Sequence, residues 1–156
     1  IRLIMEFIEF LDREEIEIIK IVEQAGYSTR ENTALCLISE NYAGFFIKKQ
    51  KSIIICTDNA KMKEGYTLLK RRNTDKYERT AIHIKKALRH EAVHVAQECN
   101  GGKLLDINKK LSLNPAKIKA LKGSLKISGE TKKEIQAYML EDKPKLLKKE
   151  LRKYCL

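Results

Sequence analysis

Apolar residues recur at helical spacing through Ile16, Ile19 and Val22, and Asp12-Arg13-Glu14-Glu15 ahead of them has the capping-box pattern. The spacing predicts a helix that Gly26 stops. Ser28-Thr29-Arg30-Glu31 repeats the capping pattern and predicts a second helix through Ala34, Leu35, Leu37 and Ile38. The pattern then changes. Tyr42 to Ile47 and Ser52 to Thr57 are rich in aromatic and β-branched residues, with Lys48-Lys49-Gln50-Lys51 between them, which reads as a β-hairpin with at least one buried face. Asp58 to Asn73 reads as a connection containing Gly65. Thr74 or Asp75 caps a long helix running to about Cys99, closed by Asn100-Gly101-Gly102. Residues 103 to 128 are polar and Lys-rich; Pro115 is placed to start a short helix at Asn114, and Gly123 and Gly129 punctuate the stretch. Ser128 caps a predicted helix over Glu130 to Leu140, and Pro144 opens the last one, to about Tyr154.

No internal repeat or low-complexity linker divides these elements, so one α+β domain over residues 1–156 is expected: a helical N-terminal region over residues 1–41, a core over 42–142 and a C-terminal helix over 143–156. The 156 residues suffice for a core, and an apolar share of 43% with a charged share of 34% is a globular balance. No apolar run is long enough to span a bilayer, so no membrane partner is expected. Ile1 to Phe10 is apolar but carries Arg2, Glu6 and Glu9; it reads as a buried helix or strand, not a secretory signal. The chain opens at Ile1 rather than Met, which leaves room for a lost targeting segment.

The long helix carries His90-Glu91-Ala92-Val93-His94, an H-E-x-x-H motif. Histidines four positions apart lie on one helix face, so both rings can reach one ion. Neutral imidazole suits Zn²⁺, and the intervening Glu91 is placed to take a proton from water. A catalytic zinc site needs a third protein ligand. No histidine follows His94, and His83 lies two helical turns before His90, about 10 Å along the axis at 1.5 Å per residue. A carboxylate is left. Glu134, on the predicted helix with the small Ala137 and the apolar Ile135, Met139 and Leu140, is the first candidate; Glu130 and Glu98 are the alternatives.

Arg89-His90-Glu91-Ala92-Val93-His94, followed by Glu134-Ile135-Gln136-Ala137-Tyr138, resembles the gluzincin clan of zinc metallopeptidases, in its small single-domain form. The resemblance covers about residues 42 to 142 and implies a zincin-like catalytic core, in which the Asn41 to Thr57 hairpin corresponds to the sheet that holds an extended peptide. It implies zinc bound by His90, His94 and Glu134, with Glu91 as general base. Many clan members carry an acidic residue four positions after the ligand glutamate; here that position is Tyr138, which is assigned a catalytic role as a hydrogen-bond donor to a ligand or substrate carbonyl. Tyr66, Tyr77 and His83 are further candidates for the oxyanion donor.

The function expected is hydrolysis of a peptide or protein substrate. The alternative is a non-catalytic zincin-fold protein with structural zinc. A net charge of +11 would give that protein a basic surface for nucleic acid or a protein partner. The lysines are spread along the chain without interleaved aromatics, so a solvated basic face with weak nucleic-acid affinity is expected. Cys36, Cys56, Cys99 and Cys155 form no C-x-x-C pair, which argues against a finger-type zinc site. Reduced thiols in a cytoplasmic protein are the expectation, with Cys99 and Cys155 the two that the fold could bring together.

Overall fold

The computed structural model describes residues 5–66, 75–107, 113–128 (for 126–128 the backbone alone) and 130–156. The sequence readings at Thr74 and Gly129, and the end of the connection expected up to Asn73, lie outside the described residues. Asp12 opens the first helix, Arg13–Gln24 (α1), with both bonds of the predicted capping box. The second capping pattern does something else. Ser28–Glu31 is a strand (β1), and the helix expected beyond it shrinks to a 3₁₀ turn, Ala34–Leu37. The Glu31 carboxylate, instead of capping Ser28, accepts the Glu6 N–H at 3.0 Å, the Phe7 N–H at 2.7 Å and the Thr57 hydroxyl at 2.6 Å.

The predicted hairpin is present as Gly44–Ile47 (β2) and Ser52–Ile55 (β3), joined through a 3₁₀ turn, Lys48–Gln50, that ends on Lys51 at φ 47°. The sheet order is β1-β3-β2, with β1 parallel and β2 antiparallel to β3. All four residues of β3 are buried, because both faces of this central strand are covered. Ile53 and Ile55 enter the main core, while Ile54 joins Cys36, Phe45 and Cys56 in a small cluster on the opposite face. Each such isoleucine contributes about 1.5–3 kcal/mol by leaving water.

The expected connection after the hairpin begins instead with a helix, Thr57–Glu64 (α2), closed by Gly65 at φ 63°. The motif helix spans Asp75–Cys99 (α3) and is the axis of the molecule: α1, α2, β2, β3 and the last two helices, Thr131–Leu140 (α5) and Pro144–Cys155 (α6), pack on it. Alanines 81, 87, 92 and 96 on its buried side let these neighbours approach closely. Between α3 and α5 the chain forms Pro115–Ser128 (α4), longer than the short helix expected; Gly123 lies inside it, and Ser128 ends it rather than capping α5, whose N-cap is Glu130. The result is an α+β domain, mostly helical with one small sheet. Among the described residues, no helix is long and apolar enough to cross a membrane.

All four cysteines are bonded. Cys99 at the end of α3 meets Cys155 at the end of α6, Cα–Cα 5.1 Å, and Cys36 meets Cys56 with Cα–Cα 5.5 Å. The expectation of reduced thiols is thus corrected: the parallel register of β1 on β3 carries the loop after β1 over the end of β3, and both Cys36 and Cys56 belong to that small cluster.

Candidate metal centre

Three side chains meet where α5 crosses the motif turn of α3. His90 Nε2 lies 3.0 Å from Glu134 Oε2, and His94 Nε2 lies 2.9 Å from Glu134 Oε1. One ligand atom from each residue falls within 4.8 Å of the others, and all three side chains are nearly or fully buried. Of the carboxylates weighed from the sequence, Glu134 is the one brought to the histidines. Glu130 is an exposed N-cap residue paired with Lys133 at 3.2 Å, and Glu98 lies on the rim, 3.4 Å from Lys48.

Rings on both sides hold the imidazoles. Phe46 of β2 stacks on His94 at 6.0 Å between centroids, and Tyr138 of α5 lies 4.3 Å from His90. Gly44 lets β2 come this near: a Cβ there would stand 3.1 Å from the Ile54 carbonyl, 3.4 Å from Ala87 Cβ and 3.5 Å from Glu91 Cγ. Glu91 itself lines an open cleft together with Tyr42, Phe46, Lys48, Ser124 and Lys133.

The tautomer of His94 is set by a chain of amides. Gln97 Nε2 donates to the Lys133 carbonyl at 3.2 Å and to Gln136 Oε1 at 3.0 Å. Gln136 is held in turn by the Leu105 backbone, accepting its N–H at 2.9 Å and donating to its carbonyl at 3.0 Å. Gln97 Oε1 is therefore the atom turned to His94, and Nδ1–H donates to it at 2.9 Å. In the neutral ring the Nε2 lone pair then faces a carboxylate oxygen. Two acceptors at that separation repel unless a proton or a cation lies between them. This donor set, two imidazoles and a carboxylate at the floor of a cleft, is one that fits zinc.

The electrostatics follow from the same contacts. Burial opposes charge on His94, but the hydrogen bond with Glu134 and the charges of Glu91 and Glu134 lift it to about 9. Burial would raise Glu134, but the hydrogen bonds from both histidines outweigh it and hold the carboxyl far below its usual range. Glu91 is raised, because burial outweighs the attraction of His90 and His94. A carboxylate so raised is a better base than an exposed one.

Tyr138 is placed differently from its expected role. Its hydroxyl donates to the Ala120 carbonyl at 3.1 Å and pairs with Ser124 Oγ, so it is turned to α4 and not into the cleft. Tyr66 and Tyr77 pack on Phe10, and His83 pairs with Glu64 at 2.7 Å; none of the three lines the cleft. The hydroxyls that do are Tyr42 and Ser124. Tyr42 donates to the Gly123 carbonyl at 3.3 Å and is presented by a loop that Asn59 Nδ2 ties down through the carbonyls of Cys36, Ser39 and Tyr42. Sequence reasoning missed Tyr42, Ser124 and Gln97. Gln97 alone carried a signal, three positions after His94 and so on the same face.

Residues 7–156 match the family model described as "Domain of unknown function (DUF8637)". The chain belongs to this family. No curated protein and no solved structure matches the chain.

Proposed function

We propose that this protein is a zinc-dependent metallopeptidase, with His90, His94 and Glu134 as the metal ligands and Glu91 as the general base. The observation that carries the reading is the convergence of His90 Nε2, His94 Nε2 and the Glu134 carboxylate on one buried point, with the three ligand atoms within 4.8 Å of one another and Glu91 in the same cleft. Bound zinc supplies Lewis-acid polarisation of the substrate carbonyl and a lowered pKa for attacking water. Glu91 takes the proton of the water as it attacks and returns it to the departing amine. Tyr138 acts through its ring, as a wall behind His90.

An extended peptide is the substrate form this cleft favours. β2 is the edge strand on the cleft side, and its free backbone groups can receive a further strand. Lys48 and Lys133 on the rim are each offset by Glu98 and Glu130, so the excess positive charge selects substrate weakly. The paired cysteines favour work in an oxidising compartment, in place of the cytoplasm expected from sequence.

The test is metal content by elemental analysis of untagged protein, wild type beside His94→Ala, followed by a peptide-library digest with Glu91→Gln as control. One zinc per chain, lost in His94→Ala, with turnover lost in Glu91→Gln, is the expected result. Zinc without turnover would favour the structural-zinc alternative, and no zinc even after titration would overturn the reading.

A further inference from the structure

The two imidazoles are not supported alike. His94 Nδ1 has Gln97, whereas His90 Nδ1 is buried and lacks a hydrogen bond in the described structure. The nearest carboxylate oxygen to it is Glu141 Oε2, at 3.9 Å. A ring that binds a cation through Nε2 carries its hydrogen on Nδ1, and a buried N–H with no acceptor costs about 1–3 kcal/mol.

Glu141 is built into place from three directions. It stands seven positions after Glu134, on the face of α5 that Glu134 and Tyr138 share, and it is buried. Its backbone carbonyl accepts from Arg89 Nε, the residue next to His90 in the chain. Its Oε1 is held by Lys117 of α4 at 3.1 Å, and the same ammonium binds Asp142 at 2.6 Å and the Tyr138 carbonyl. Oε2 is thereby left to face His90. Tyr138 occupies the position where the sequence resemblance leads one to look for an acid, and its ring fills that space.

We infer that Glu141 is the positioning residue of His90: when the site is loaded, Glu141 Oε2 accepts the Nδ1–H of His90 and fixes the ring for coordination through Nε2, with Lys117 orienting the carboxylate. This rests on the zinc reading above. It makes His90 the ligand with a charged outer partner and His94 the ligand with a neutral one. Outer partners of this kind are worth about 10–100-fold in metal affinity.

The experiment measures Zn²⁺ affinity by competition with a chromophoric chelator for wild type, Glu141→Ala, Glu141→Gln, Lys117→Met and His94→Ala. Urea titration of each metal-free variant reports folding, and nitrogen NMR of the zinc-loaded protein reports the His90 Nδ1–H. A loss of about 10–100-fold is expected for Glu141→Ala, with partial rescue by Gln, which keeps an acceptor. Lys117→Met should lose a few-fold, and the Nδ1–H resonance should move in Glu141→Gln. Should Glu141→Ala fail to fold, Lys117→Met and the resonance decide. Affinities within twofold of wild type and an unmoved resonance, while His94→Ala loses zinc, would overturn the role of Glu141 and leave the metal site standing. A wild type that takes no zinc would overturn both.

Discussion

Gln97 Oε1 stands 2.9 Å from His94 Nδ1, and this one contact decides which nitrogen of His94 is turned to Glu134. The decision is made outside the site, by the Lys133 carbonyl and by Gln136, which orient the Gln97 amide.

The first prediction concerns pH. In metal-free protein His94 keeps its proton to about pH 9, and zinc must displace that proton. Zinc affinity by chelator competition should rise from pH 6 and level off near pH 9. The stability of metal-free protein should run the other way. His94 is raised above its ordinary 6.5, so its contribution is complete below pH 6.5 and is lost as pH climbs to about 9. Glu134 is depressed below its ordinary 4.5, so its contribution is present above pH 4.5 and is lost as pH falls further. Thermal melts should place the pair's best pH between those two values, and a melting temperature that rises from pH 6.5 to 9 would contradict the assignment.

Glu134 and Glu130 should separate cleanly. Glu134→Ala removes the carboxylate between the histidines and should cut zinc affinity by more than about 100-fold, beyond what an outer partner contributes. Glu130→Ala changes an exposed helix cap and should leave zinc affinity within about twofold. The opposite ranking in the same titration would move the third ligand.

The convergence of His90, His94 and Glu134 was legible in the sequence because each lies on a regular helix, where spacing alone fixes the face. The groups that face Nδ1 of the two histidines, Gln97 at His94 and Glu141 at His90, were not, because which group meets Nδ1 depends on ring rotation and on where α5 ends. The strand β1 was hidden for a related reason. Its Ser-x-x-Glu letters suit a helix start, but the Glu31 carboxylate finds two backbone donors at Glu6 and Phe7 and a hydroxyl at Thr57, all distant in sequence. Helix α2 has too little apolar periodicity to read, whereas α1 announces itself through a cap that is wholly local. Tyr138 was placed on the correct helix, but nothing in the sequence says that its hydroxyl turns to α4.

Two glycines should respond oppositely to alanine. At Gly44 the added Cβ meets the Ile54 carbonyl at 3.1 Å, a backbone atom of the neighbouring strand, so Gly44→Ala should cost about 1–3 kcal/mol and push β2 away from Glu91. At Gly123, inside α4, an added Cβ meets nothing within 4 Å, and Gly123→Ala should stabilise by about 0.5–1 kcal/mol. Urea denaturation of the two variants checks both signs.

The disulfides should differ in weight. Cys99–Cys155 closes a sequence separation of 56 and Cys36–Cys56 one of 20. Each is worth about 2–5 kcal/mol, and constraint of the unfolded chain grows with the loop closed. Cys99→Ser with Cys155→Ser should therefore cost more than Cys36→Ser with Cys56→Ser, measured by urea at equal oxidant. Equal or reversed costs would point to local strain or packing instead of chain entropy.

The Cys99–Cys155 bond also changes what damage to the molecule looks like. It joins the end of the motif helix to the end of the last helix, so α4, α5 and α6, with Glu134 among them, belong to one covalently closed ring of chain. A single peptide-bond cut anywhere in that ring adds the mass of one water and releases nothing. Such a nicked molecule runs as one band until a thiol is added, and only then does the fragment beginning after the cut separate, taking Glu134 with it whenever the cut precedes α5.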